Sequence, residues 1–278
     1  MKRFLILIVA VASMVMTAEA QKVVRVLAIG NSFSVDVVEQ NLHQLASEQG
    51  TTLVIGNLYI GGCSLQKHLV NMKGNKRAYS YRKVDENGKR TVQAKYAISR
   101  ALSDEPWDYI MVQQVSGLSG VYASYGSTLS ELLSLVRKEV AATTKFVMLQ
   151  PWAYQHDSQH QNFSIYNYDQ QKMYKSITKS VKAVVSDKDY DLHAVVPTGT
   201  AVQNARTKFG DRLTRDGFHL EMRLGRYIGA CTMCEVLLGK SVVGNSYRPS
   251  GVSAEDAVAA QKAAHAAVLK PYKVTAIK

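Results

Sequence analysis

The chain has 278 residues, 46% of them hydrophobic and 20% charged, with a formal net charge of +12. That balance excludes a disordered or fibrous polymer and suits one large α/β domain over two smaller ones. The Lys and Arg residues are scattered, without an aromatic-interleaved basic motif, so nucleic acid is not the expected partner. An acidic polymer or an anionic surface fits the charge better.

In chain order, Lys2 and Arg3 precede the apolar run Phe4 to Val15, and Ala18-Glu19-Ala20 forms a small-x-small cleavage signal. This pattern predicts a secretory signal peptide over residues 1–20, a mature chain beginning at Gln21 and a periplasmic or secreted location. The apolar run is shorter than the roughly 20 residues of a membrane span, so no stable membrane insertion is expected. Cleavage removes two basic residues and one acidic one, which leaves +11.

Residues 21–278 then read as a single domain. Val23 to Ile29 is an apolar, β-branched run closed by Gly30, and Val35, Val38, Leu42 and Leu45 follow at helical spacing. The alternation recurs with strands at Leu53 to Tyr59, Tyr109 to Val112, Phe146 to Leu149 and Ala194 to Val196. Helical patterns cover Leu129 to Val140, Met173 to Val185 and Arg223 to Leu238. Apolar strands separated by amphipathic helices predict a three-layer α/β/α sandwich on about five parallel strands, flavodoxin-like in outline. Ala78 to Val92 departs from the alternation and reads as a β-hairpin turning at Asn87-Gly88, placed where it could project near an active-site rim. The tail from Tyr272 is expected to be loose.

Three cysteines are not a disulfide framework. Cys231 and Cys234 share a face of the apolar helix Tyr227 to Leu238 and read as buried thiols, and Cys63 has no evident partner.

Functional groups of a parallel sheet gather beyond the carboxyl ends of its strands. Gly30-Asn31-Ser32-Phe33-Ser34 stands at the first such end, where a helix N-terminus favours a developing negative charge. Ser32 there is either a displayed nucleophile or a helix cap. Among seven histidines, His219 has the best context: in Arg215-Asp216-Gly217-Phe218-His219-Leu220, an aspartate three residues earlier can hold one ring nitrogen and leave the other to take a serine proton. His156 and His160 resemble a metal pair by spacing alone, with no carboxylate or cysteine cluster around them, so neither metal nor cofactor is expected.

Taken together, GNSFS, Gly61-Gly62-Cys63-Ser64-Leu65, a Gln-bearing strand end and RDGFHL, in that order between Val23 and Gly244, resemble the SGNH (GDSL-like) hydrolase superfamily. More narrowly, they resemble the branch long catalogued as a domain of unknown function. The resemblance implies Ser32 as nucleophile, Asp216 and His219 as its partners, and an oxyanion hole from the N–H groups of Ser32 and Gly62. The superfamily's block III asparagine has no counterpart: Gln113 takes that place and is expected as the third donor, with Gln114 the alternative. Asn31 belongs to the nucleophile block and is expected near substrate. His68 recurs in block II, where a structural hydrogen bond is the default and substrate contact the alternative. Trp152, after the fourth strand, either floors a sugar-binding cleft or packs in the core or rim. The implied activity is a serine esterase acting on a carbohydrate ester, either an O-acetyl group or a uronic-acid methyl ester on an acidic polysaccharide. A glycan-binding module without turnover, a lipase or thioesterase, and a flavodoxin-like cofactor protein are the rivals. The last is disfavoured because the first turn offers GNSFS in place of a Gly-rich phosphate cradle.

Overall fold

The computed structural model describes residues 22–278. The leader and its cleavage site before Gln21 lie outside the described residues.

The chain runs β1 (Lys22–Gly30), α1 (Ser32–Val38), α2 (Leu42–Ser47), β2 (Thr51–Tyr59), α3 (Leu65–Lys73), β3 (Tyr79–Val84), β4 (Arg90–Tyr96) and α4 (Ile98–Leu102). It continues through β5 (Tyr109–Val112), α5 (Gly126–Arg137), β6 (Lys145–Leu149), α6 (Gln170–Ser186), β7 (Ala194–Val196), α7 (Thr198–Phe209), α8 (Leu224–Leu238) and α9 (Ala254–Leu269). The sheet order is β4-β3-β2-β1-β5-β6-β7. Its five strands from β2 to β7 are parallel, and β3 and β4 extend it in antiparallel fashion. Helices α1, α2, α7, α8 and α9 pack together on one face, with α3 to α6 on the other. Burial from both sides explains why Val26 to Ile29 are apolar without alternation.

Chain direction reverses at β1, which goes first to β2 on one side and later to β5 on the other. A crevice opens at such a switch point beyond the carboxyl ends, and the GNSFS turn sits there.

Three local expectations change. The helical pattern from Val35 to Leu45 is two helices, because Asn41 takes φ 64° between them, a left-handed conformation that Asn tolerates. The hairpin forms but does not approach the crevice. β3 starts beside the carboxyl end of β2, with Ser80 opposite Tyr59, and runs the other way. Its Asn87-Gly88 turn therefore lies at the opposite end of the sheet, beside His43 and Arg25. The tail is tied down as well: the Thr275 and Ile277 amides donate to Asn204 Oδ1 and Thr207 Oγ1 on α7, and Gln150 Nε2 donates to the Pro271 carbonyl. Helix α9 has no counterpart among the sequence-based elements: it carries no strong apolar stripe, yet it packs on α7 and α8 and buries six alanines, Ala257, Ala259, Ala260, Ala263, Ala264 and Ala267. Cys231 and Cys234 are buried free thiols on α8.

Candidate active site

Asn31 caps α1: its Oδ1 accepts from Phe33 N at 3.0 Å, as an N-cap amide should. That leaves Ser32 as the first helical residue, partly exposed at the crevice while its neighbours Phe33 and Ser34 are buried. Ser34 is an interior residue. Its hydroxyl donates to the Asn31 carbonyl and lies 2.8 Å from Asn57 Oδ1.

The loop after β2 brings Gly61 and Gly62 to the same crevice. Gly62 has φ +60°, and a Cβ built on it would meet nothing, so its constraint is backbone conformation and not space. The Gly62 N–H makes no backbone hydrogen bond among the described residues. Asn31 Nδ2 donates to the Cys63 carbonyl at 3.0 Å, which ties this loop to the nucleophile turn.

His219 arrives on a tight turn closed by the Thr214–Leu220 bridge. Asp216 organises it from within: Oδ1 accepts from the His219 amide at 2.8 Å and the Phe218 amide at 3.3 Å, and Oδ2 lies 2.6 Å from His219 Nδ1. Gly217 at φ +87° lets the chain turn between them, with Ser158 packed where a side chain would go. Burial raises the Asp216 carboxyl, but hydrogen bonds from the His219 ring and from the His219 and Phe218 amides outweigh it and hold the group below its ordinary range. The sign follows: a depressed folded value means that the pairing is complete above the unfolded carboxylate range and is lost as pH falls through the folded value. A ¹³C-NMR titration should place the Asp216 midpoint below the ordinary Asp value of about 3.9; a midpoint at or above it would mean the pair is not formed in solution.

Ser32, Gly62 and His219 line one cleft of about 370 Å³, with Asn31, Tyr59 and Gly61 beside them. Val115, Ser116, His160, Gln161, Asn162 and Phe218 complete its wall. Asp216 lies behind His219, its side chain 41% exposed. With Nδ1 committed to Asp216, Nε2 is the ring nitrogen left to exchange a proton.

Three candidate site residues stand behind the cleft, and Trp152 and His68 take their structural alternatives. Gln113 is fully buried and outside the cleft wall; its Nε2 donates at 2.6 Å to Asn31 Oδ1 and its Oε1 has no partner. The extra methylene relative to asparagine carries its amide against Asn31, so it braces the nucleophile turn from behind instead of facing an oxyanion. Gln114 is no substitute, since its Oε1 accepts from Leu65 N and Val115 N while its Nε2 donates to Ser124. Gln113→Ala should therefore lower stability by ~1–3 kcal/mol, the cost of unsatisfied buried groups, and reduce activity in parallel. Thermal melts and kinetics on one preparation test this, and an unchanged melt with lost turnover would return Gln113 to the oxyanion hole.

Trp152 is 0% exposed and offers no face to a sugar. It stacks on Phe33 with centroids 4.1 Å apart and planes 2° apart, and its Nε1 donates to the Phe218 carbonyl at 2.7 Å. It thus joins the serine turn to the histidine turn. His68 is also wholly buried, with Nδ1 2.8 Å from the Tyr79 hydroxyl, and burial, with Lys67 adding to it, pushes it down to about 3. It supports the floor behind Cys63, whose thiol burial pushes up to about 12.

His156 and His160 are separated in role. His156 pairs with Asp211 at 2.8 Å on the surface, while His160 packs its ring against Phe218 and Tyr154 and faces the cleft. Burial and the neighbouring His219 lower His160, with Asp216 opposing.

Sequence reasoning missed Asp36. It is fully buried on α1, four residues after Ser32. Its carboxylate accepts from Arg226 Nε at 2.8 Å, Arg215 Nη1 at 3.2 Å and the Leu220 amide at 2.8 Å. It therefore fastens the residue after His219 to the helix that carries Ser32. An aspartate within Val35-Asp36-Val37-Val38 was the available signal.

Comparison with known proteins agrees with this architecture. The sequence matches the family described as "Domain of unknown function (DUF4886)" over residues 25–267. A crystal structure of a DUF4886 family protein from Bacteroides uniformis is 46% identical, covers 92% of this chain and 100% of its own, and superposes with a TM-score of 0.90. A protein from Slackia heliotrinireducens proposed to be an SGNH hydrolase shares the fold at 18% identity and a TM-score of 0.52, over 77% of this chain and 98% of its own. No curated protein matches the sequence. The mostly parallel seven-stranded sheet, its flanking helices and the extent of the sequence match lead to one assignment: the chain belongs to the DUF4886 family and has an SGNH hydrolase-like fold.

Proposed function

We propose that the protein is an exported serine ester hydrolase that cleaves an O-acetyl or uronic-acid methyl ester on a carbohydrate. The observation that carries this reading is the meeting of Ser32, Gly62 and an Asp216-held His219 in one cleft.

His219 Nε2 takes the Ser32 proton as Oγ attacks the ester carbonyl, and Asp216 stabilises the imidazolium that forms. The carbonyl oxygen becomes an oxyanion within reach of the Ser32 and Gly62 N–H groups, donors preorganised for charge that develops only in the transition state. His219 then gives the proton to the departing alcohol oxygen. Water, deprotonated by the same nitrogen, releases the acyl group from Ser32.

The wall suits a sugar ester. None of its residues is Lys, Arg, Asp or Glu, and Tyr59, Ser116, Gln161 and Asn162 supply neutral donors and acceptors suited to sugar hydroxyls. An acetylated sugar and a methyl-esterified uronic acid are both uncharged at the reacting ester, so this neutral wall suits either, and the assay below separates them. The apolar lining is confined to Val115 and Phe218 beyond the glycines, too little for the long acyl chain of a lipase substrate.

The test is release of acetate from acetylated xylan and of methanol from methyl-esterified pectin, with 4-nitrophenyl acetate as the small-ester control. Release of one product is the expected result: acetate assigns the O-acetyl ester and methanol the uronic-acid ester. Silence on all three substrates would make the protein a glycan-binding module.

A further inference from the structure

Helix α6 carries charge of one sign only. Its seventeen residues contain Lys172, Lys175, Lys179 and Lys182 and no Asp, Glu or Arg. The 3-4-3 spacing puts all four lysines on one stripe, and each is exposed while Met173, Tyr174, Ile177, Val181 and Val184 face the core. Like charges three and four apart repel, and Lys172 and Lys175 lie toward the positive end of the helix dipole. None of the four forms an ion pair among the described residues, and Lys182 Nζ lies 6.0 Å over the Tyr272 ring. A row of exposed cations without carboxylate partners is a candidate surface for an anionic polymer.

The lysine side chains stand around a shallow, open hollow: Lys172, Lys175 and Lys179 surround it with Ser176 and the capping Asp169. Lys179 and Ser176 continue into a second hollow of about 440 Å³ with Gly120 and Tyr122. Tyr122 is 48% exposed there. These hollows adjoin the back of the catalytic cleft wall. The Tyr166 hydroxyl donates to the Gly117 carbonyl and accepts from the Gly120 amide, binding the segment that offers Ser116 to the cleft to the one that offers Gln161 and Asn162.

We infer that the lysine face of α6, with Tyr122, binds the carboxylate groups of an acidic polysaccharide. The stripe spans about 15 Å from Lys172 to Lys182 at 1.5 Å per residue, the scale of several sugar units. An exposed tyrosine beside it can pack on a sugar face. The identity of the polymer rests on the proposed carbohydrate esterase reading: the neutral cleft takes an esterified unit while the lysines hold uronates elsewhere on the same chain.

Polygalacturonate, which carries no ester, is the probe, with neutral xylan as control. Binding by the intact protein should be seen at low salt and vanish near 1 M, where the screening length is about 3 Å. The triple variant Lys172→Gln/Lys175→Gln/Lys179→Gln should bind about tenfold more weakly, the scale of two or three exposed ion pairs. It should hydrolyse 4-nitrophenyl acetate like the wild type and melt no lower, because repulsion has been removed. Undiminished binding by the variant, or equal displacement by a thymidine oligonucleotide at matched charge, would overturn the inference; the second result would make this a nucleic-acid surface. The two proposals fail separately. Lysine-dependent binding without esterase activity retires the catalytic reading alone, and esterase activity without polygalacturonate binding retires this one alone.

Discussion

Replacing Ser32 by alanine should abolish ester hydrolysis while leaving the fold intact. Ser32 is partly exposed, and its hydroxyl makes no hydrogen bond among the described residues, so its loss should leave the melting temperature unchanged. The expected fall in kcat is on the order of 10⁶, and His219→Ala should fall comparably, because nucleophile and base act as one unit. Asp216→Asn should cost less, on the order of 10⁴, since the carboxylate fixes the tautomer and supports the imidazolium without taking the proton. Ser34→Ala is the control. Its hydroxyl is spent on the Asn31 carbonyl and Asn57, so stability falls by ~1 kcal/mol and the chemistry persists. Wild-type turnover by a folded Ser32→Ala protein would end the serine mechanism.

Asp36→Ala should be the most damaging substitution for stability. Breaking a buried ion pair from one side leaves the other charge uncompensated, at ~3–5 kcal/mol. Here Arg226, itself buried, would be left without its carboxylate. In a domain of this size that corresponds to a drop of roughly 6–20 °C in Tm. Asp36→Asn keeps the volume and one acceptor for the Leu220 amide, so it separates charge from shape: its melt should also fall, and its activity well below Tm should exceed that of the alanine variant. Either variant melting like the wild type would show that Asp36 does not fasten the histidine turn. Because the anchored residue is Leu220, next to His219, any loss of kcat measured far below Tm reports misplacement of the base.

What the sequence determines by itself is whatever short-range order writes. The five parallel strands are visible because burial on both faces requires continuous apolar runs, and Ala194–Val196 is found in place even at three residues. The Asp216–His219 pair is legible for the same reason: both residues lie on one turn, three apart, and the carboxylate folds that turn around itself. The hairpin at Asn87-Gly88 is announced by turn chemistry, but its direction is not, because pairing with β2 is decided by the open edge of the sheet.

Tertiary structure alone decides the rest. Asp36 and Arg226 are 190 residues apart, and no local pattern links them. Helix α9 escapes notice because alanine gives little hydrophobic contrast, although small side chains are what let it pack closely on α7 and α8. The roles of Gln113, Trp152 and His68 turn on depth. Motif position brings each near the site, but only packing shows that all three are sealed behind it, where a buried amide braces a turn and a buried indole joins two loops. In the wall, Tyr59 ends β2 while Ser116, Gln161 and Asn162 come from the loops after β5 and β6, and loop residues have no periodicity to betray which of them will face one another across a cleft.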